Sequence, residues 1–279
     1  MIGIIDTGGS FRAAFADGVL DFLQDQNITV DYFIGVSAGA ANGASFIARQ
    51  RGRNFDFYTK YNLSPKAVGP LAWLKTRGSL VDLDYIYGTL SNSSGKAPLD
   101  YPALMASPIQ FKITATSVET GEAVYFDKQD MKQDDYRVIS ASSCTPLFCK
   151  PYKIGTDSYF DGYVADPIPV EKAIHDGCSK LVILLTLPKD HMRSSHSFQA
   201  QAAKVKKYPV ISQKLSKGAE IYNRKLEQCL AMEKEGNAII LFPEKNHIGV
   251  FERDRQKITA LYEEGLEAGK HAAEFILTS

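Results

Sequence analysis

Residues 2–5 form a short apolar run rich in β-branched side chains, and it stops at the glycine turn Thr7-Gly8-Gly9. Such a run reads as a buried strand. Phe11, Ala14, Phe15, Val19, Phe22 and Leu23 then recur at three- and four-residue steps, the spacing of one helix face, until the polar stretch 24–27. Residues 28–34 read as a second strand. Ala40, Ala41, Ala44, Ile47 and Ala48 sketch a second helix ending near Gly52. The first fifty residues are therefore β-turn-α-β-turn-α, which implies parallel strands joined by a right-handed crossover.

The pattern is irregular over 54–108, where aromatics, Pro and Gly are scattered and 91–95 reads as a flexible surface loop. Beyond it, 111–118 and 123–126 predict a hairpin, and 134–142 a helix stopped by Pro146. A second hairpin over 152–160 delivers Asp161 at its end, and Pro167 and Pro169 suit the first turn of a helix running to His175. Residues 181–187 and 238–242 are the last strands, separated by a polar, mostly helical segment over 197–235. A final helix over about 254–276 places Ile258, Leu261, Tyr262, Leu266, Ala273 and Ile276 on one face.

Composition narrows the class without naming a function. The chain has 279 residues, 44% hydrophobic and 23% charged, enough for a sizeable core in one α/β domain over 1–279. Lys and Arg total 32 and Asp and Glu total 32, so no global field draws it to nucleic acid. Cys144, Cys149, Cys178 and Cys229 lack paired spacings and a His cluster, so no metal site, no cofactor and no disulfide framework is expected. The longest uncharged apolar run, 181–188, suits a buried strand rather than a membrane span, and the N-terminal run is too short for a signal peptide. A cytoplasmic enzyme is the expectation.

Three short segments carry candidate chemistry. Gly35-Val36-Ser37-Ala38-Gly39 is a G-x-S-x-G between a predicted strand and a predicted helix, the setting in which a serine is held on a sharp turn with Oγ exposed. An ordinary glycine-rich strand-to-helix turn is the plainer reading of the pentapeptide. Gly8-Gly9-Ser10-Phe11-Arg12 is a second glycine turn opening a helix, where free N–H groups can converge on an oxyanion and Arg12 can add charge or bind a lipid phosphate. A nucleotide-phosphate turn is its rival, weakened by the incomplete G-x-G-x-x-G order and the lack of an acidic ribose partner. Asp161-Gly162 ends a strand; taken alone, an Asp-Gly is most often just a turn.

In this order, the three segments resemble the patatin-like phospholipase family. The flanks agree as well: Gly18-Val19-Leu20-Asp21 after the first turn, Ala141-Ser142-Ser143 with Pro146 before the aspartate, and Asp166-Pro167-Ile168-Pro169-Val170 after it. The agreement extends over about 2–175, with 176–279 as a C-terminal extension holding the last strands. The resemblance implies a three-layer α/β/α sandwich with a mostly parallel central sheet. It also implies a phospholipase A or lysophospholipase type of activity on fatty-acyl esters of lipids. By the same resemblance Ser37 and Asp161 form a catalytic dyad, Gly8, Gly9, Ser10 and Arg12 belong to the oxyanion hole, Gly35 and Gly39 frame the elbow, and Gly162 completes the Asp-Gly motif. Ser10 and Ala13 stand where glycines are usual, and Tyr163 where a small residue is, so Tyr163 narrows the site.

Other readings stay open. An α/β-hydrolase triad of Ser37, Asp161 and His247 is permitted by chain order, although only one predicted strand precedes the elbow strand. An acyltransferase would use the same acyl-enzyme, and an inactive lipid-binding homologue would keep the frame without the reaction. Between Lys204 and Lys225 lie seven basic residues and one acid, Glu220; these read either as a solvated helix face or as a transient contact with an anionic membrane surface.

Overall fold

The protein is described by a computed structural model covering residues 1–278. Its strands are β1 (Ile2–Asp6), β2 (Tyr32–Val36), β3 (Gln110–Ser117), β4 (Ala123–Asp127), β5 (Tyr152–Ile154), β6 (Asp157–Asp161), β7 (Lys180–Leu184) and β8 (Ala238–Leu241). All eight join one sheet. Period-two alternation divides the side chains between its faces. Ile4, Phe33, Phe111 and Val182 pack with helices α1 (Ala14–Asp25) and α2 (Ala38–Ile47) and the final helix Arg255–Leu277. Ile5, Ile34, Leu181 and Ile183 pack on the other face with helices Val170–His175 and Gly218–Lys234. The result is the three-layer sandwich expected.

The sheet is mixed, which corrects the expectation of a mostly parallel one. Strands β3, β2, β1, β7 and β8 run parallel, whereas β4 and β6 run antiparallel to β3, and β5 antiparallel to β6. The cause is local: tight turns after β3 and β5 send the chain straight back, and both hairpins enter the main sheet instead of standing apart from it.

Register then decides where Asp161 lies. Residues 112–114 of β3 pair with β2 and with β4, so these two flank β3 on opposite edges. Ala115 and Thr116 pair with both β4 and β6, so β6 takes the edge that β2 vacates after Val36. Val36 pairs with Thr114 and Asp161 with Ala115, so the elbow turn and the end of β6 meet in adjacent register.

Behind the sheet, the final helix is pressed onto α1 with backbone against backbone. A Cβ added at Gly18 would stand 2.1 Å from the Tyr262 carbonyl oxygen, and one at Gly265 2.0 Å from that of Phe15. The helix predicted over 134–142 begins at Arg137. Ser91, expected on a flexible surface loop, is buried and accepts a hydrogen bond from Arg53. In the basic stretch 204–225, Lys225 is buried and paired with Asp166 and Glu171, so it belongs to the core and not to a solvated face.

Candidate active site

Ser37 follows the last residue of β2 and immediately precedes α2, at φ 58° and ψ −127°. A non-glycine residue there is strained by about 1–3 kcal/mol and persists only where its surroundings over-determine it. Here they do. The Ser37 N–H donates to the buried Ser142 Oγ at 2.9 Å, and the Ser37 carbonyl accepts from Ala40 N–H at 3.0 Å. The flanking glycines are set by contact: a Cβ at Gly39 would stand 2.3 Å from the Asp6 carbonyl oxygen, and one at Gly35 2.5 Å from the Ala40 nitrogen.

The first glycine turn lies against this elbow. Gly8, Gly9 and Ser10 have φ of 67°, 115° and 57°, three successive left-handed residues that swing their N–H groups off the line of β1. Asp6, at the end of β1, takes the Gly8 N–H on Oδ1 at 2.9 Å and Asn42 Nδ2 on Oδ2 at 2.8 Å. Asn42 is itself held by donating to the Ala13 carbonyl and accepting from the Tyr58 hydroxyl. Thr7 is anchored through its N–H and its hydroxyl to the Leu184 carbonyl. Among the described residues nothing accepts from the N–H of Gly9 or Ser10, and both line the cavity that Ser37 enters. Gly8 thus shapes the turn, and Gly9 and Ser10 present open donors.

Asp161 is buried at the end of β6. Its Oδ1 accepts from the Tyr163 N–H at 3.0 Å and its Oδ2 from the Thr145 hydroxyl at 3.0 Å. Burial pushes its carboxyl up to about 6, against the lowering influence of hydrogen bonding from Tyr163, Ser37 and Thr145. Gly162 packs on β3, where a Cβ would meet the Thr114 carbonyl oxygen at 2.3 Å.

Ser37, Asp161, Gly9, Ser10 and Arg12 all line one cavity of about 460 Å³, within the range of small-molecule sites. Part of its wall is apolar, with Phe57, Leu83, Ile86, Leu147, Phe148 and Phe251. Tyr163 also lines it, its ring stacked on Phe198 with centroids 5.9 Å apart. The five histidines, His175, His191, His196, His247 and His271, are exposed, and none lines the cavity.

The family model for patatin-like phospholipases matches residues 7–174, which include Gly9, Ser10, Arg12, Ser37 and Asp161. The chain belongs to the patatin-like phospholipase family. A second model, a domain of unknown function, matches 208–278. The uncharacterized protein YjjU of Escherichia coli (strain K12) is 30% identical over 205 residues, covering 67% of this chain and 52% of that protein. The chain therefore spans about half the length of this curated relative. The crystal structure of VipD from Legionella pneumophila aligns with a TM-score of 0.46 at 11% identity, over 99% of this chain and 66% of that one.

Several residues of this patatin-like site carry no local signal in the sequence: Asp6 and Asn42 behind the first glycine turn, Ser142 under the elbow, Thr145 beside Asp161, and Arg193. Ser142 belongs to the Ala141-Ser142-Ser143 segment, but nothing local shows that a side chain 105 residues away would cap the Ser37 N–H.

Proposed function

We propose that this protein hydrolyses fatty-acyl esters of lipids through an acyl-enzyme on Ser37, with Asp161 as the base. The observation that carries the reading is the convergence, in one cavity, of a strained serine, a buried carboxyl poised near 6, and two unclaimed N–H groups. Asp161 takes the Ser37 proton as Oγ attacks the ester carbonyl. The tetrahedral oxyanion is received by Gly9 and Ser10 N–H, and Asp161 returns the proton to the leaving alcohol. Water then attacks the acyl-enzyme by the reverse route. The dyad reading is favoured over a triad because all five histidines are exposed and none lines the cavity.

We read the whole chain as one patatin-like unit, since β7 and β8 extend the sheet that carries the site. Contact with a lipid surface is supported by the short helix Pro70–Thr76, where Leu71, Trp73 and Leu74 are 50%, 49% and 65% exposed. Lys66 before it and Lys75 within it are exposed, Lys75 paired with Asp82, and the neighbouring Val68 and Val81 line the cavity. The four buried, unpaired cysteines support a reducing, cytoplasmic compartment.

The test is ester turnover and fluorophosphonate labelling of wild type beside Ser37→Ala. The variant should fold, lose labelling, and lose about 10³–10⁶ in kcat; retained turnover rules the mechanism out.

A further inference from the structure

Three arginines line the cavity, and they differ in what holds them. Arg53 is fully engaged: its guanidinium donates to the hydroxyls of Ser45 and Ser91 and to the carbonyls of Ala97 and Pro98. Arg12 and Arg193 are not. The Nε of each is shielded from solvent without an acceptor, and neither pairs with a carboxylate among the described residues. Among the described residues, the one acid in the wall is Asp161, whose oxygens already serve Tyr163, Thr145 and Ser37. Burial pushes the Arg12 guanidinium pKa down, and the nearby charge of Arg193 pushes it further.

Two like charges held together with open donors destabilise an empty site, and the arrangement is relieved by an anion that offers several oxygens. Arg193 is also prepared to receive one. Its backbone is clamped on both sides by Asn223, which accepts from its N–H at 2.8 Å and donates to its carbonyl at 3.1 Å. Its guanidinium lies over the Tyr222 ring, 4.7 Å from the centroid, so the planar fork is oriented before any ligand arrives.

We infer that Arg12 and Arg193 form a two-armed site for a phosphoryl group beside Ser37. Arg193 is the new element, lying outside both matched segments, 7–174 and 208–278. The inference rests on the proposed acyl hydrolysis only in naming the phosphoryl group as part of the lipid that carries the ester. A free phosphate would engage the same two forks by the same chemistry.

The test separates these sources. In the Ser37→Ala background, calorimetry measures the binding of inorganic phosphate and of glycerophosphocholine. Arg193→Met should weaken both by about 10–100-fold and Arg193→Lys by less, since a lysine keeps charge but not the fork. Arg255→Met, on the exposed first turn of the final helix, is the control. In the active enzyme, the kcat/KM ratio for dihexanoyl-phosphatidylcholine over dihexanoylglycerol should fall at least about tenfold in Arg193→Met. Weakened phosphate binding with an unchanged ratio assigns the site to free phosphate; weakened diester binding with a fallen ratio assigns it to the lipid head group. Binding of both ligands that is indifferent to Arg193 overturns the site. The binding arm holds even if the protein turns over neither ester, so failure of this inference and failure of the proposed hydrolysis are told apart.

Discussion

The ends of β1 and β6 are built alike and serve different ends. Each closes on a buried aspartate, each is followed by a turn containing glycine, and burial pushes both carboxyls up to about 6. What faces them differs. Asp6 spends both oxygens on the frame, one on the Gly8 N–H and one on an Asn42 amide that Tyr58 and the Ala13 carbonyl fix in place, and it does not line the cavity. Asp161 is held by one N–H and one freely rotating hydroxyl, and it faces the cavity with Ser37 before it. The same desolvation accompanies rigidity at one strand end and, in the proposed mechanism, basicity at the other, because one carboxylate meets only fixed donors and the other meets a serine.

The sharpest way to break the comparison is to remove each charge while keeping its shape. Asp161→Asn should lower kcat by about 10²–10⁴, since no base remains for the Ser37 proton, whereas alanine at each of the five histidines should leave near-normal turnover. A histidine variant that silences the folded enzyme defeats the dyad. Asp6→Asn should cost less, about 10–100-fold in kcat with KM little changed, because it moves the oxyanion turn without touching the proton. An Asp6→Asn loss as large as that of Asp161→Asn would mean that the two ends are not functionally distinct.

A smaller effect is the acid limb of kcat/KM. The base must be ionised, so activity should fall as pH drops through about 6, to about a tenth of its plateau near pH 5. Asp6 titrates in the same range, so the limb alone does not assign the group. A limb that persists in Asp6→Asn belongs to Asp161; one that disappears belongs to Asp6.

How far the sequence anticipates this follows from the range of the interactions involved. The strand-turn-helix over 2–47 is legible because period-two and period-3.6 patterns, glycine turns and the elbow are local features. The pairing that brings Asp161 beside Ser37 is a register across three strands, and a hairpin's tip does not reveal which edge it will take. That β4 and the β5–β6 hairpin join the main sheet, with β4 and β6 antiparallel to β3, is hidden for that reason. Arg193 was invisible in a different way: it lies in a polar stretch with no motif, and its meaning comes from Arg12, Asn223 and Tyr222, separated from it by up to 181 residues. Segment 54–108 supplies apolar wall largely from short helical pieces such as Phe57–Tyr61 and Asp84–Thr89, too short for a period to mark them.

The smallest expected effect, on stability, is also the one in which the two aspartates should part at both ends of the pH range. A carboxyl raised from 3.8 to about 6 by folding favours the folded state below pH 3.8, and that contribution is lost as pH rises through about 6. At pH 8 each ionised aspartate is therefore a burden of up to about 3 kcal/mol. Asp161→Asn removes that burden and keeps its bonds: the amide oxygen accepts the Tyr163 N–H, and the Thr145 hydroxyl rotates to accept from the new NH₂. It should stabilise the protein by about 1–3 kcal/mol at pH 8 and by nothing at pH 3.5. Asp6→Asn removes the same charge but sets its NH₂ against the Asn42 Nδ2, and Asn42 cannot turn without losing Tyr58 and Ala13. That clash of donors costs about 1–3 kcal/mol, so this variant should gain nothing at pH 8 and be less stable than wild type at pH 3.5. Denaturant unfolding at the two pH values decides it: two variants stabilised alike at pH 8 would show that both carboxylates are merely buried charges, and that Asp6 does not hold the oxyanion turn.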